Sequence, residues 1–212
     1  MQQWWQNKYI WACGLLGSIL MLLTPFIGVL NWPVYVPLKQ MSVILTARDQ
    51  PFRTLFVGYN LVASLLIVVF LWAWVQFGSY KRLTRQRQAV LNFLGGFIVL
   101  QILRWGFPLV GMAQLSSVTD RLNWYILLLL VVDVGLAGLV LRVGQSYDAE
   151  LQPSLTNMWC LSSGLMLIFI GTLLIIQLLG WPFAGAFDEL INFMLLWPIM
   201  YTSWDFVQKT WQ

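Results

Sequence analysis

The sequence predicts an all-α protein, a polytopic bundle of six transmembrane helices with a short interfacial helix in the first outer loop. Three observations predict it. Of 212 residues, 59% are hydrophobic and 9% charged, whereas a soluble domain carries roughly 25% charged residues. The apolar residues gather into runs of about 20, the length that crosses a hydrocarbon core of about 30 Å. The runs are continuous, as in Tyr125 to Val132, and do not alternate as barrel strands do. Backbone groups in lipid must be paired within their own segment, so such runs are helices.

The first span is predicted at about 9–30, after Lys8. It is too long for a signal-peptide core and has no clear small-x-small cleavage site before Asn31, so it is expected to be retained. It ends in Asn31-Trp32-Pro33, where a proline stops the helical ladder. The connection from Asn31 to Arg53 is the longest in the chain. Within it, Pro37 to Thr46 reads as an amphipathic helix with Leu38, Met41 and Leu45 on one face and Lys39 and Gln40 elsewhere. That helix is expected in the outer headgroup plane, or folded back over the bundle as a lid.

Further spans are predicted at about 54–77, 90–110, 123–143, 158–179 and 186–206. The whole chain, 1–212, is then one transmembrane domain, with no length left for a catalytic or binding domain outside the membrane. The basic loop Lys81, Arg82, Arg85 and Arg87 is placed in the cytoplasm by the positive-inside rule. Both termini of this multi-pass chain are then cytoplasmic, in a cell membrane. The three outward-running spans end alike, in Asn31-Trp32-Pro33, Trp105-Gly106-Phe107-Pro108 and Gly180-Trp181-Pro182, which hints at three related hairpins.

The 13 tryptophans fall largely near predicted helix ends and read as an aromatic belt at the headgroups. Trp4, Trp5 and Trp11 mark the start, Trp32, Trp105, Trp124 and Trp181 the outer side, and Trp72, Trp74, Trp204 and Trp211 the inner side. Gly14, Gly17, Gly95, Gly96, Gly135, Gly138, Ser162, Ser163 and Gly164 are expected to let helices approach closely. Pro25 and Pro198 are expected to kink the first and last spans.

Composition excludes much chemistry. The chain has no His, which removes the Ser/His/Asp triad, His-ligated metals and the His proton relay. Cys13 and Cys160 lie singly in apolar runs, so neither a disulfide framework nor a metal site is expected. No phosphate loop, nucleotide fingerprint or zinc signature is present, and no cofactor is expected. The net charge of +4 sits between spans, as a sidedness signal does, and does not point to nucleic acid.

The informative residues are charges inside apolar runs, each costing about 2.5–3.5 kcal/mol at a helix centre. Asp133 falls near the middle of the fourth span, Arg104 in the outer half of the third, and Asp188 and Glu189 at the outer start of the sixth. At ~1.5 Å rise per residue, Arg104 and Asp133 differ in depth by about 7 Å, within reach of a guanidinium. Arg104 is therefore expected to pair with Asp133, Glu189 or both. Asn60, Asn92, Gln101, Gln177 and Asn192 are further polar candidates for the interior. The cluster has two readings, interhelical ion pairs that hold hairpins together, or an outward-facing pocket for a headgroup, ion or proton. No nucleophile with an adjacent base is visible in the sequence.

Tyr35 to Pro51, YVPLKQMSVILTARDQP, followed by Gly58-Tyr59-Asn60 and later by Trp105-Gly106-Phe107-Pro108, resembles the bacterial membrane proteins of domain-of-unknown-function family 998. Tyr35, Lys39, Gln40, Leu45, Thr46, Ala47, Pro51, Phe107 and Pro108 carry the resemblance. The family's Ser-Asp pair falls on Val43 and Ile44, and its His falls near Asn123, so the groups best suited to polar chemistry are replaced. The resemblance implies the six-helix architecture and leaves the mechanism open.

The resulting expectation is a non-enzymatic membrane protein that binds or moves a small or amphiphilic molecule, or assists a partner, through an outer-half pocket of Arg104, Asp133, Asp188 and Glu189. Membrane lipids are the expected partners, together with a membrane-protein partner or a second copy of the chain. An intramembrane lipid-modifying enzyme and the substrate-binding subunit of a multi-component vitamin importer are the alternatives.

Overall fold

The computed structural model of the protein describes residues 4–106, 124–147 and 152–209. Among the described residues there are six long helices and no strand: α1 (Lys8–Asn31), α2 (Arg53–Tyr80), α3 (Thr84–Gln101), α4 (Trp124–Ser146), α5 (Pro153–Leu179) and α6 (Ala184–Lys209). The first five, with α3 counted through Trp105, are long and apolar enough to cross a membrane. Helix α6 is as long but carries Asp188, Glu189, Asn192, Thr202, Ser203 and Asp205 along its length.

Local signals set the helix ends. The Asn7 side chain accepts from the Tyr9 amide at 3.1 Å and caps α1, satisfying one of the orphan donors of the first turn. Pro153 opens α5, where its missing N–H costs nothing. Gly180 closes α5 in the left-handed region, φ 68°, and the Trp181 amide bonds back to the Ile176 carbonyl. Helix α1 instead closes with the Trp32 amide on the Gly28 carbonyl, and α3 runs into a π-helical turn, Ile102–Gly106. The three similar sequence stops thus end in three different geometries, and Phe107 and Pro108 lie outside the described residues. Helix α3 also begins earlier than expected. The reversal before it is three residues, Lys81 to Leu83, with Arg82 at φ 57°, and Arg85 and Arg87 already belong to the helix.

Each helix packs on its neighbours in sequence, and α6 returns to α1, so the six form a closed ring. Small residues set the closest approaches. A Cβ added at Gly17 would lie 2.7 Å from the Ala63 carbonyl oxygen of α2, and one at Gly96 would lie 2.7 Å from Leu139 of α4. Gly14 meets Phe70 and Gly144 meets Cys160 in the same manner. Gly95, Gly135, Gly138 and Gly164 do not serve as expected, since a Cβ at any of them would meet nothing within 4 Å. Their faces point away from the neighbouring helix. Ser162 and Ser163 are buried as expected, and Ser163 donates to the Ala137 carbonyl at 2.8 Å. Cys13 and Cys160 are free thiols.

At one end of the ring the centre is filled by rings rather than by aliphatic side chains. Trp11 stacks on Phe206 at 4.2 Å, Trp74 meets Trp159 at 5.7 Å, and Phe93 meets Trp159 edge-on at 5.5 Å. The Trp159 indole donates to Thr202 at 3.0 Å. This corrects the belt assignment: Trp5, Trp11, Trp74 and Trp105 are buried, whereas Trp4, Trp72, Trp124, Trp181 and Trp204 are exposed. Trp211 lies outside the described residues. A ring of six helices has a wide middle, and only large side chains fill it to the density of a protein interior.

The other end of the ring is filled by the first long loop. Instead of an amphipathic helix over 37–46, the loop forms a short 3₁₀ turn, Ser42–Thr46, and all five residues are buried. Leu38, expected on the same apolar face as Met41 and Leu45, is exposed while they are buried. The segment is therefore not interfacial. It re-enters the bundle, which non-helical backbone can do where protein rather than lipid surrounds it. Two glycines permit the fit. A Cβ at Gly185 would stand 2.0 Å from the Pro37 carbonyl oxygen, and one at Gly28 would strike Tyr35 and Leu45. The Ala186 amide donates to the Leu38 carbonyl at 3.1 Å.

Candidate functional site

Beneath that loop, four of the charged and polar residues singled out in the sequence meet. Arg104 is 2% exposed, Asp133 2% and Asp188 1%. Nη2 of Arg104 donates to Asp133 Oδ2 at 3.2 Å and to Asp188 Oδ1 at 3.1 Å, and Nη1 donates to Asn192 Oδ1 at 2.6 Å. The expected pairing with Asp133 is present. Asp188 rather than Glu189 makes the second ion pair, because successive residues on a helix point about 100° apart and Asp188 is the one turned inward.

The π turn explains how Arg104 reaches the centre. Widening the last turn of α3 re-aims the residues after Gln101, a common use of such turns. The last carbonyls of any helix lack intrahelical donors. Here Thr46 Oγ1 donates to the Arg104 carbonyl at 2.9 Å, and the Tyr125 hydroxyl donates to that of Leu103 at 2.7 Å. The loop and α4 thereby hold the arginine backbone in place. Trp105 is held back along the helix by its indole N–H on Gln101 Oε1 at 2.6 Å.

The loop also closes on Asp188. Both the amide and the hydroxyl of Ser42 donate to Asp188 Oδ2, at 3.0 and 2.8 Å. No nucleophile with an adjacent base is visible in the sequence, and this hydroxyl–carboxylate pair joins residues 146 apart, which no spacing rule links. The Ser42 hydroxyl thus faces the charge cluster.

The site holds more acidic than basic groups. One guanidinium stands among three carboxyl groups, since Glu189 lies within electrostatic reach of Arg104 and Asp188. Hydrogen bonding is incomplete as well. Arg104 Nε, Asp133 Oδ1, Glu189 Oε1 and the Tyr35 hydroxyl are buried without a hydrogen-bond partner among the described residues. Such groups each cost about 1–3 kcal/mol unless something fills them. Tyr35 lies in the loop, 2% exposed and stacked on Trp32. Burial pushes its phenol above the usual value, and the Glu189 and Asp188 carboxyls add to the push.

Glu189 has a second exposure. It lines a groove of about 630 Å³ between α1 and α6, together with Leu22, Pro25, Phe26, Leu38, Leu190 and Phe193. Among the described residues that line it, Glu189 is the sole ionisable one. That volume lies within the usual range of small-molecule sites, about 300–1,000 Å³.

The chain matches no family model, no curated protein and no solved structure.

The remaining polar candidates lie elsewhere. Asn60 and Gln101 join a separate buried chain in which Thr24 donates to Asn60 at 2.9 Å and Ser64 donates to Gln101 at 3.3 Å. Asn92 pairs with Gln88 along α3, and Gln177 meets the Met41 sulfur at 3.7 Å. Within the loop motif, Gln40 Oε1 accepts from the Val36 amide at 3.0 Å, whereas Lys39 and Pro51 are exposed. No group of three or more His, Cys, Asp or Glu with metal-ligand geometry occurs among the described residues.

Proposed function

We propose that the protein is an integral membrane protein that spans a cell membrane six times, with both termini cytoplasmic, and binds or moves a small or amphiphilic molecule in its outer half. Five helices support the spans by length and composition. The sixth is supported by its packing: Asp188, Thr202 and Ser203 of α6 are buried, while Leu190, Trp197 and Trp204 are exposed. Turning its polar residues inward leaves α6 an apolar outer surface, as lipid requires.

The observation that carries the functional reading is the groove between α1 and α6, which reaches from the apolar exterior to Glu189 and hence to the Arg104 cluster. A site that is apolar along its length and charged at one end suits an amphiphile. Membrane lipids are the nearest source, and the resemblance to domain-of-unknown-function family 998 fits the same architecture. Native mass spectrometry of the full chain in a neutral detergent tests it. A bound molecule of amphiphile mass is expected, and Leu190→Trp, which fills the groove, should remove it. Absence of any adduct, or an adduct retained by Leu190→Trp, overturns the reading.

One observation favours a second reading. The Ser42 hydroxyl against Asp188 at 2.8 Å has the arrangement of a nucleophile beside a carboxylate base, as an intramembrane lipid-modifying enzyme would use. Against it, Arg104 already bonds the other oxygen of Asp188, so that carboxylate is engaged in an ion pair. Covalent labelling of Ser42 by a fluorophosphonate would favour the enzyme.

A further inference from the structure

We propose that the groove between α3 and α4 seats a phospholipid of net negative charge, with one acyl chain along Val99, Val132, Gly135 and Gly138 and the phosphate on Arg142. The inference rests on the membrane-spanning reading above and is independent of the groove between α1 and α6.

Two glycines open this groove. Gly135 and Gly138 bring no helices together, since a Cβ at either would meet nothing within 4 Å. Glycine is unfavourable inside a helix, and no close approach among the described residues calls for it here. With Gly96, Val99, Val132 and Leu139 they line a cavity of about 510 Å³, and Val99, Gly135 and Gly138 are exposed on the outer face of the ring. From Val132 to Arg142 the axis of α4 advances about 15 Å at ~1.5 Å per residue, close to half of a hydrocarbon core of about 30 Å. The groove therefore runs the depth of one leaflet, from the middle of α4 to Arg142.

Arg142 decides the occupant. Among the described residues that line the groove it is the sole ionisable one. It is exposed, and it makes no ion pair among the described residues. A guanidinium stays charged at any ordinary pH, and its planar fork matches two phosphate oxygens at once. Its long stem lets the head reach the headgroup level from an apolar stretch. The surroundings carry the same sign. Ser146, one turn beyond Arg142 on α4, lines a neighbouring cavity of about 360 Å³ together with Arg82, Arg85 and Gln86. No acidic residue lines either cavity among the described residues. A zwitterionic head would set its own cation against these arginines, whereas a net anionic head does not, and basic pockets between helices suit anionic headgroups.

A second copy of the chain fits this face less well. A two-fold axis along the membrane normal brings equal depths together, so Arg142 would face its own counterpart, and like charges opposed across an interface are costly. A free phosphate would satisfy the arginine but has no chain to fill the apolar length.

Native mass spectrometry of the full chain, delipidated in a neutral detergent and given equal amounts of dioleoyl-phosphatidylglycerol and dioleoyl-phosphatidylcholine, tests the assignment. Retention of the phosphatidylglycerol is expected at a preference of at least fivefold. Arg142→Gln should reduce that preference at least fivefold. Gly138→Leu changes no charge and places its side chain in open space, and by filling the groove it should reduce phosphatidylglycerol retention as much. Arg48→Gln, exposed in the loop at the other end of the bundle, should change neither. Equal retention of the two lipids by the unaltered chain overturns the head-group assignment. Loss in Arg142→Gln with none in Gly138→Leu means diffuse attraction to the basic turn and overturns the groove. A dimer that Gly138→Leu dissociates, with lipid retention unaltered, gives the face to a second copy and overturns the lipid. If Arg142→Gln does not fold, the lipid comparison on the unaltered chain and Gly138→Leu decide together. Alkaline carbonate extraction separates the two levels: release of the chain from membranes refutes the spanning reading itself, whereas a chain that stays in the membrane but shows no lipid preference refutes this site alone.

Discussion

Removing the arginine should cost far more than removing one of its carboxylates. In the native protein Nη2 of Arg104 bonds Asp133 and Asp188 at 3.2 and 3.1 Å, and Nη1 bonds Asn192 at 2.6 Å. Arg104→Met keeps the length of the side chain but strands two buried carboxylates and the Asn192 amide. Breaking a buried pair by removing one partner costs about 3–5 kcal/mol. For a chain of this size each kcal/mol shifts Tm by about 2–4 °C, so a fall of roughly 6–20 °C is expected. Asp133→Asn is different. It loses one bond of 3.2 Å but leaves Arg104 its pair with Asp188, and it removes a negative charge from a site that has one guanidinium for three carboxyl groups. Its cost should stay near 1 kcal/mol, the net worth of an ordinary hydrogen bond, or under about 4 °C. Thermal unfolding followed by tryptophan fluorescence in a neutral detergent measures both. Equal losses in the two variants, or a neutral Arg104→Met, would refute the claim that Arg104 is the shared partner on which the cluster depends.

Three further outcomes are expected. Ser42→Ala removes a hydroxyl donor to Asp188, a charge-assisted bond worth about 1.5–3 kcal/mol, and should let a maleimide reach an Ile44→Cys reporter that the native loop buries; an unlabelled reporter would count against a loop held by that bond. Gly185→Ala drives a Cβ into loop backbone whereas Gly138→Ala meets open space, so the first should lower Tm by several degrees and the second by none, as the same unfolding assay checks. A cysteine replacing Arg85 should resist an impermeant thiol reagent added outside intact cells and react once the membrane is opened; labelling from outside would reverse the topology.

The parts of the site that the sequence revealed are those governed by cost. Arg104 and Asp133 stand out because few charges are tolerated in an apolar run, and the helical rise alone places them within reach of each other. What it left open is governed by register and by contacts distant along the chain. Whether Asp188 or Glu189 faces the arginine turns on about 100° of rotation, which adjacent carboxylates do not reveal. Ser42 finds Asp188 across 146 residues, and nothing near Ser42 in sequence signals it. The loop misled for a physical reason: Leu38, Met41 and Leu45 give the same pattern whether the apolar face meets lipid or a bundle interior. Tryptophans near helix ends are equally ambiguous, and closure of the ring decides that Trp11 and Trp74 pack inside while Trp72 and Trp204 stay exposed. The glycines divide likewise, Gly17 against a neighbouring helix and Gly135 away from one.

The most direct measurement is an electron cryo-microscopy structure of the full chain in lipid nanodiscs. Elongated density between α1 and α6, ending within hydrogen-bond distance of the Glu189 carboxyl, is the predicted result, with the Ser42–Thr46 turn still seated over Arg104. Helices α1 and α6 packed together with no density between them, and Glu189 turned to the aqueous surface, would contradict it.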